Sequence, residues 1–263
     1  MQIVQKKPIT AGTRHVKQLK KSLLLKSSSV FKGLVSKHKF SVGRGKHGHI
    51  TSRHRGGGTK KLLRPIEFSN EKRLGVVVAV RHDSNRNSLV AVNFDFLTRK
   101  FYQTILTRKF IVGSILQSGR LKQPYEGYRT SVDLLPPGCI LNSISFGKKE
   151  GAKLVRAAGT QGQVISTGSF VKIKMPSNKV IAVSLKSFAC LGRVANEKSY
   201  LVRLGKAGVS RLMGRRPYVR GIAMNPVDHP HGGRTNGGRP SVTPWGLPTK
   251  NKFRLRKKAK ILV

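Results

Sequence analysis

Leu74-Gly-Val-Val-Val-Ala-Val-Arg81 and Ser88-Leu-Val-Ala-Val-Asn-Phe-Asp-Phe96, joined through Asp83-Ser-Asn-Arg-Asn87, decide the class of fold. Val76, Val77 and Val78 carry the β-branched bias of strands, and Val90, Val92, Phe94 and Phe96 alternate as a half-buried strand requires. The Asp, Ser and Asn residues between them are turn formers. Working outward, residues 65–68 and 100–106 continue the pattern, which outlines a small antiparallel barrel. Residues 124–137, ending in Pro136-Pro137-Gly138, read as a connector. A second β set follows at 139–146, 153–158, 163–166, 170–175 and 179–185. Gly147, Gly151, Gly159, Gly162 and Gly168 punctuate it at the close spacing that tight turns of a small closed sheet need. The chain is predicted to be mainly β, with two small barrels of similar size. Short helices are expected at 16–25 and 206–213, and no regular structure for most of the chain after Gly214.

On either side of this middle the composition changes. The 263 residues carry 53 Lys plus Arg against 9 Asp plus Glu, a formal net charge of +44. Residues 1–66 hold 17 basic residues and no acid, and residues 203–263 hold 15 against Asp228 alone. Self-repulsion on this scale opposes compaction until a polyanion neutralises it, so nucleic acid is the leading partner. An anionic membrane is the weaker alternative, because the apolar run at 74–80 is far short of the roughly 20 residues that span a bilayer. Cys139 and Cys190 form no CxxC and have no His at zinc-finger spacing, so neither a disulfide framework nor a metal site is expected. An acid-free, Ser-bearing start is also what a transit peptide looks like.

Two segments invite chemistry. Gly43-Arg-Gly-Lys-His-Gly48 matches G-x-G-x-x-G, but no strand precedes it and Gly56-Gly57-Gly58 blocks a following helix. The better reading is one basic loop, in which Arg44, Lys46, Arg53, Arg55, Lys60 and Lys61 alternate with glycines that let the backbone approach phosphates. Asp228-His229-Pro230-His231 lacks a nucleophile, an oxyanion site and a third metal ligand, so neither catalysis nor metal binding is expected. It lies in a run from Gly221 to Gly246 that contains the single Trp, Trp245. Pro226, Pro230, Pro240 and Pro244 stiffen this run, while His and Trp rings are suited to stacking on bases or ribose. Having no periodicity, it is expected to take its shape from a partner.

Met224-Asn-Pro-Val-Asp-His-Pro-His-Gly-Gly233, followed by Val242-Thr-Pro-Trp-Gly246, resembles the signature of the large-subunit ribosomal protein two family of bacteria and organelles. So do Lys7-Pro8 with Arg14-His15, Ile50-Thr-Ser-Arg-His-Arg-Gly-Gly-Gly58, Arg156-Ala-Ala-Gly-Thr160, Val202-Arg-Leu-Gly-Lys-Ala-Gly208 and Arg216-Pro-Tyr-Val-Arg-Gly221, in the family's order. Thr59 stands where the bacterial pattern has His, residues 15–40 hardly match, and the shortened stretch from Arg234 to Val242 resembles mitochondrial members.

The resemblance implies an oligonucleotide-binding-fold-like barrel at 64–123 and an SH3-like barrel at 124–202, between basic extensions at 1–63 and 203–263. It also implies a structural role in the large subunit: binding large-subunit rRNA, contacting neighbouring ribosomal proteins and the small subunit, and reaching the peptidyl-transferase region. No cofactor, membrane or DNA partner is implied. Beside the six basic residues above, the RNA contacts implied are His54, Gly56, Gly57, Gly58, Arg156, Lys206, Arg215, Arg216, Arg220, Asn225, His229, His231, Arg234, Arg239 and Trp245. His229 is carried over as an RNA-packing residue. A mitochondrial location follows from the shortened stretch, with plastid or bacterial cytoplasm as alternatives. Because the first residues align with the family start, no cleaved transit peptide is expected, and the chain would be encoded and made inside the organelle. The rival reading from charge alone is a histone-like packaging protein, which explains the arms but not the Trp-bearing Pro/Gly run. The arms are expected to become ordered on assembly.

Overall fold

The computed structural model describes residues 3–20, 29–37, 40–68, 70–121, 125–147, 150–233 and 240–249. These fall into two compact units, one drawn from Met1–Phe40 and Lys60–Ala207, the other from Ser41–Thr59 and Gly208–Lys260.

The first unit begins with β1 (Ile3–Gln5), the single helical turn α1 (Ala11–Arg14) and β2 (Lys17–Leu19), with β1 and β2 antiparallel. The helix expected at 16–25 is therefore replaced by a strand over 17–19; residues 21–28 lie outside the described residues. The strand forms because Lys17 also pairs with Arg203 through reciprocal backbone hydrogen bonds of 3.1 Å, a long-range partner that local propensity does not register. Next come β3 (Ser36–Lys37) and β4 (Leu62–Leu63), paired antiparallel. Residues 65–68 are not a strand; of their amides, that of Glu67 donates to the carbonyl of Gln103.

The main sheet follows: β5 (Arg73–His82), β6 (Leu89–Asp95), β7 (Phe101–Ile105), β8 (Ile115–Ser118), β9 (Arg129–Ser131), β10 (Ile140–Asn142), β11 (Gly162–Ser166), β12 (Phe170–Lys174), β13 (Val180–Ser184) and β14 (Phe188–Leu191). Their order is β13-β12-β11-β10-β14-β9-β8-β5-β6-β7. Neighbours are antiparallel except β8 and β9, which meet through one parallel pair, Ser118 with Arg129. That thin seam separates two barrel-like lobes, each with its own core, and the fold is mainly β as the alternation demands.

In the first lobe a bulge between Val77 and Ala79 breaks strict alternation on β5. Val77 and Val80 consequently join Leu89, Ala91 and Leu106, while Ala79 joins Val92 and Phe31. Phe31 belongs to the acid-free first arm, is buried, and meets Phe101 edge to face at 5.6 Å. Val16 is buried as well, so described parts of that arm have partners within the chain. At the β5–β6 corner, Asp83 accepts the amide of Asn85 at 2.9 Å and Nε of Arg86 at 2.7 Å, the turn that its Asp-Ser-Asn composition predicts.

The second lobe is closed by Val132, Leu135, Leu141, Ile144, Val164, Val171, Ile173, Val183 and Ala189. The expected connector at 124–137 holds β9 and a short 3-10 turn, Val132–Leu134. The expected strand at 153–158 is reduced to one bridge, Leu154 with Ile144, because Val155 takes a positive φ of 52° that ends the extended run. Cys139 and Cys190 are free and partly buried.

Candidate nucleic-acid interface

The second unit brings together parts of the two arms, the first acid-free and the second with Asp228 as its one acid, which are more than a hundred residues apart in sequence. The helix α2 (Ala207–Leu212) leads into it. The amide of Thr59 donates to Leu212 (2.9 Å), that of Gly56 to Gly214 (3.0 Å) and that of Arg216 to His54 (3.0 Å), and Arg55 pairs with Arg215. Nothing in either arm's own pattern announces this partnership.

Upstream, the basic loop folds on itself. Arg44 bridges Ile50, the amide of Gly45 donates to His49, and the amides of Thr51 and Ser52 both donate to Gly43. Two of its glycines serve this closure. A Cβ on Gly43 would overlap the carbonyl of Ser52, and one on Gly45 would sit 2.9 Å from Thr51. Gly56 lies against Arg216 and Val42, and Gly58 against Gly214 and Leu212, whereas Gly48 and Gly57 face open space.

The His-bearing run is held by a local hydrogen-bond frame. After a 3-10 turn, Gly221–Ala223, the carbonyl of Asn225 accepts the amides of Asp228 (3.0 Å) and His229 (3.4 Å). Gly232 donates to His229 (2.8 Å) and Gly233 to Met224 (3.2 Å). The run thus supplies part of its own shape, through turns that carry no periodicity to read. The ring of His229 is 8% exposed, lies over Gly221, and stands 4.8 Å from the ring of His231. Its Nδ1 accepts the amide of His231 at 3.0 Å, so the proton of a neutral His229 resides on Nε2. Nε2 of His231 contacts both the carbonyl of Pro240 (3.0 Å) and the amide of Val242 (3.1 Å).

His229→Ala deletes an acceptor and leaves a partly buried amide unpaired, a cost of about 1–3 kcal/mol. Faster amide hydrogen exchange at His231 and Gly232 is the expected result. Unchanged exchange would mean that the ring does not hold the loop.

Val242-Thr-Pro-Trp-Gly246 closes as a tight turn, with Thr243 and Leu247 hydrogen bonded at 2.7 Å and Val242 bridging Pro248. It displays Trp245, 71% exposed, with the guanidinium of Arg53 4.7 Å from the ring centroid. The adjacent His54 holds Tyr218 at 4.5 Å and places Nδ1 3.0 Å from the carbonyl of Pro217, which makes that nitrogen the protonated one. Tyr218, 77% exposed, is absent from the contacts expected from sequence, although it lies within the Arg216–Gly221 motif.

Arg44, Lys46, Arg53, His54, Arg55, Gly57, Gly58, Arg215, Arg216, Arg220, Asn225 and Trp245 are thus exposed in one unit, with Gly56 and His231 half-buried and His229 buried. Lys60, Lys61, Arg156 and Lys206 belong to the other unit; Lys60, Arg156 and Lys206 are exposed, and Arg156 stands 6.0 Å from the ring of Phe68. Arg234 and Arg239 lie outside the described residues. Among the described residues, ion pairs occur only between positions 64 and 197, so the described arginines of the second unit have no ion-pair partner among them. No helix among the described residues is long and apolar enough to cross a membrane.

An exposed cationic surface carrying displayed aromatic rings is chemistry suited to RNA: guanidinium groups for phosphates, Trp245 and Tyr218 for bases. Two family models match the chain. Residues 31–118 match Ribosomal Proteins L2, RNA binding N-terminal domain, and residues 126–246 match Ribosomal Proteins L2, C-terminal domain. With most of its length accounted for in this way, the chain belongs to the ribosomal protein L2 family, structural constituents of the large ribosomal subunit that bind its rRNA.

Proposed function

We propose that this protein organises large-subunit rRNA around its second unit, with the 220–246 run directed to the peptidyl-transferase region and the assembled face supporting association with the small subunit. The proposed layout is the one expected from sequence: basic extensions at 1–63 and 203–263 flanking barrels at 64–123 and 124–202. Of the expected contacts, the exposed arginines and Trp245 bear on RNA directly, while His229 acts by holding the loop that presents its neighbours. The mitochondrial ribosome is the proposed location, on the strength of the shortened stretch after Gly233. The role is architectural, with peptide-bond formation left to RNA, and neither DNA nor a membrane is a proposed partner.

The observation that carries this reading is the density of cations without ion-pair partners among the described residues where the arms join. Each phosphate neutralised releases condensed counterions, so rRNA affinity falls with salt at a log–log slope of about −0.7 to −0.9 per phosphate contact. Filter binding of the full chain to large-subunit rRNA across a salt series measures that slope, and duplex DNA as competitor measures selectivity. Equal competition by DNA would favour the packaging alternative and overturn the proposal.

A further inference from the structure

We infer that a cavity in the second unit receives one unstacked nucleotide of the rRNA, its phosphates on arginines and its base against an apolar wall; this rests on the RNA-binding reading above. The cavity, about 350 Å³, is lined by Arg44, Arg53, Arg55 and Arg216, with Val42, Ile50 and Pro217 forming the apolar side. Its volume is within the range of small-molecule sites, roughly 300–1,000 Å³.

Charge, apolar exposure and backbone geometry coincide there. Four arginines line it with no ion-pair partner among the described residues, a concentration of positive charge that favours an anion, although the Arg53 guanidinium also lies against Trp245. Ile50 is 63% exposed, an apolar side chain offered to the solvent beside those charges. Val42 and His54, both lining residues, take positive φ values of 52° and 58°. A β-branched residue rarely adopts this conformation, and such strain gathers at ligand clamps.

Phosphates on the outside of a duplex would reach the arginines but leave the apolar side wet. A splayed-out nucleotide satisfies both, and single-stranded loops and bulges supply such nucleotides. Tyr218, held against His54, adds a stacking face beside the cavity.

The test probes 2′-OH reactivity of full-length large-subunit rRNA bound by the full chain, comparing wild type with Ile50→Trp, which fills the cavity from an exposed position. The wild type is expected to protect one or two unpaired nucleotides that become reactive again in the variant. Affinity is expected to fall about 5- to 150-fold, the range that loss of one stacked base brings. Val42→Gly, which removes part of the wall while easing the backbone, keeps the test independent of folding, and the same nucleotide is expected to be exposed. Protection unchanged in both variants would show the cavity empty and overturn the inference, leaving RNA binding intact. Absence of any wild-type protection on this rRNA would instead overturn the proposed function.

Discussion

Asp83→Ala is expected to destabilise the first unit by about 3–5 kcal/mol, the cost of removing one partner from a buried ion cluster. The Asp83 side chain is fully buried, accepts the Asn85 amide and Arg86 Nε, and lies 3.6 Å from Nη1 of Arg64. Arg81 is buried nearby with Nη1 unpartnered among the described residues, and burial together with the Arg64 charge lowers its pKa. Without the carboxylate, Arg64 and Arg86 lose their only ion-pair partner among the described residues, while Arg64 continues to repel Arg81. Thermal unfolding of the full chain measures the loss, and Arg81→Leu in the same background is expected to recover part of it by removing one of the repelling charges. Equal stability of Asp83→Ala and wild type would show that the cluster is solvated rather than buried. In a chain with 9 acids among 53 Lys and Arg, the placing of each carboxylate weighs heavily on folding.

The same corner shows what could be read from sequence. Asp83-Ser-Asn-Arg-Asn87 between two β-branched runs announces a turn, and the hairpin of β5 and β6 is there with a register running from Gly75–Asp95 to His82–Leu89. Local signals suffice where apolar alternation and turn chemistry agree. They fail at β9, where Arg129-Thr-Ser131 is polar yet buried. Burial is tolerated because the Arg129 guanidinium is satisfied: Nε and Nη2 donate to Asn70 Oδ1 at 3.0 and 2.8 Å, and Nη1 to the Ser143 carbonyl at 2.9 Å. Partners 59 and 14 residues distant leave no trace in the local pattern. The candidate interface divides in the same way. Charge and the Trp-bearing run could nominate its cations and its aromatic face from sequence, but the pairing of residues 54–59 with 212–216 is a tertiary event. Only the structure shows that most of the loop's glycines are spent on close contacts within the chain.

That pairing is most exposed to failure at Gly58. Its φ is +93°, and a Cβ there would lie 2.8 Å from both the amide nitrogen of Gly214 and the carbonyl oxygen of Leu212. Both are backbone atoms, so relief requires the 212–214 segment to move, not a side chain. Gly58→Ala therefore pays for left-handed backbone, about 1–2 kcal/mol. It also forfeits the Gly56–Gly214 and Thr59–Leu212 hydrogen bonds, each worth about 1 kcal/mol net. The expected total is about 3–4 kcal/mol, enough to separate the arms before any RNA is met. Gly57→Ala is the matched control, because its φ is +63° but its Cβ would meet nothing within 4 Å, so only the backbone cost of about 1–2 kcal/mol applies. Amide exchange at Gly56 and Thr59 is expected to accelerate strongly in Gly58→Ala and little in Gly57→Ala. Free energy spent on re-forming the pairing must come from RNA binding, so Gly58→Ala is also expected to bind large-subunit rRNA at least tenfold more weakly, 1.4 kcal/mol being a factor of ten. Indistinguishable behaviour of the two alanine variants would mean that the close approach of residues 58 and 214 is not what joins the arms.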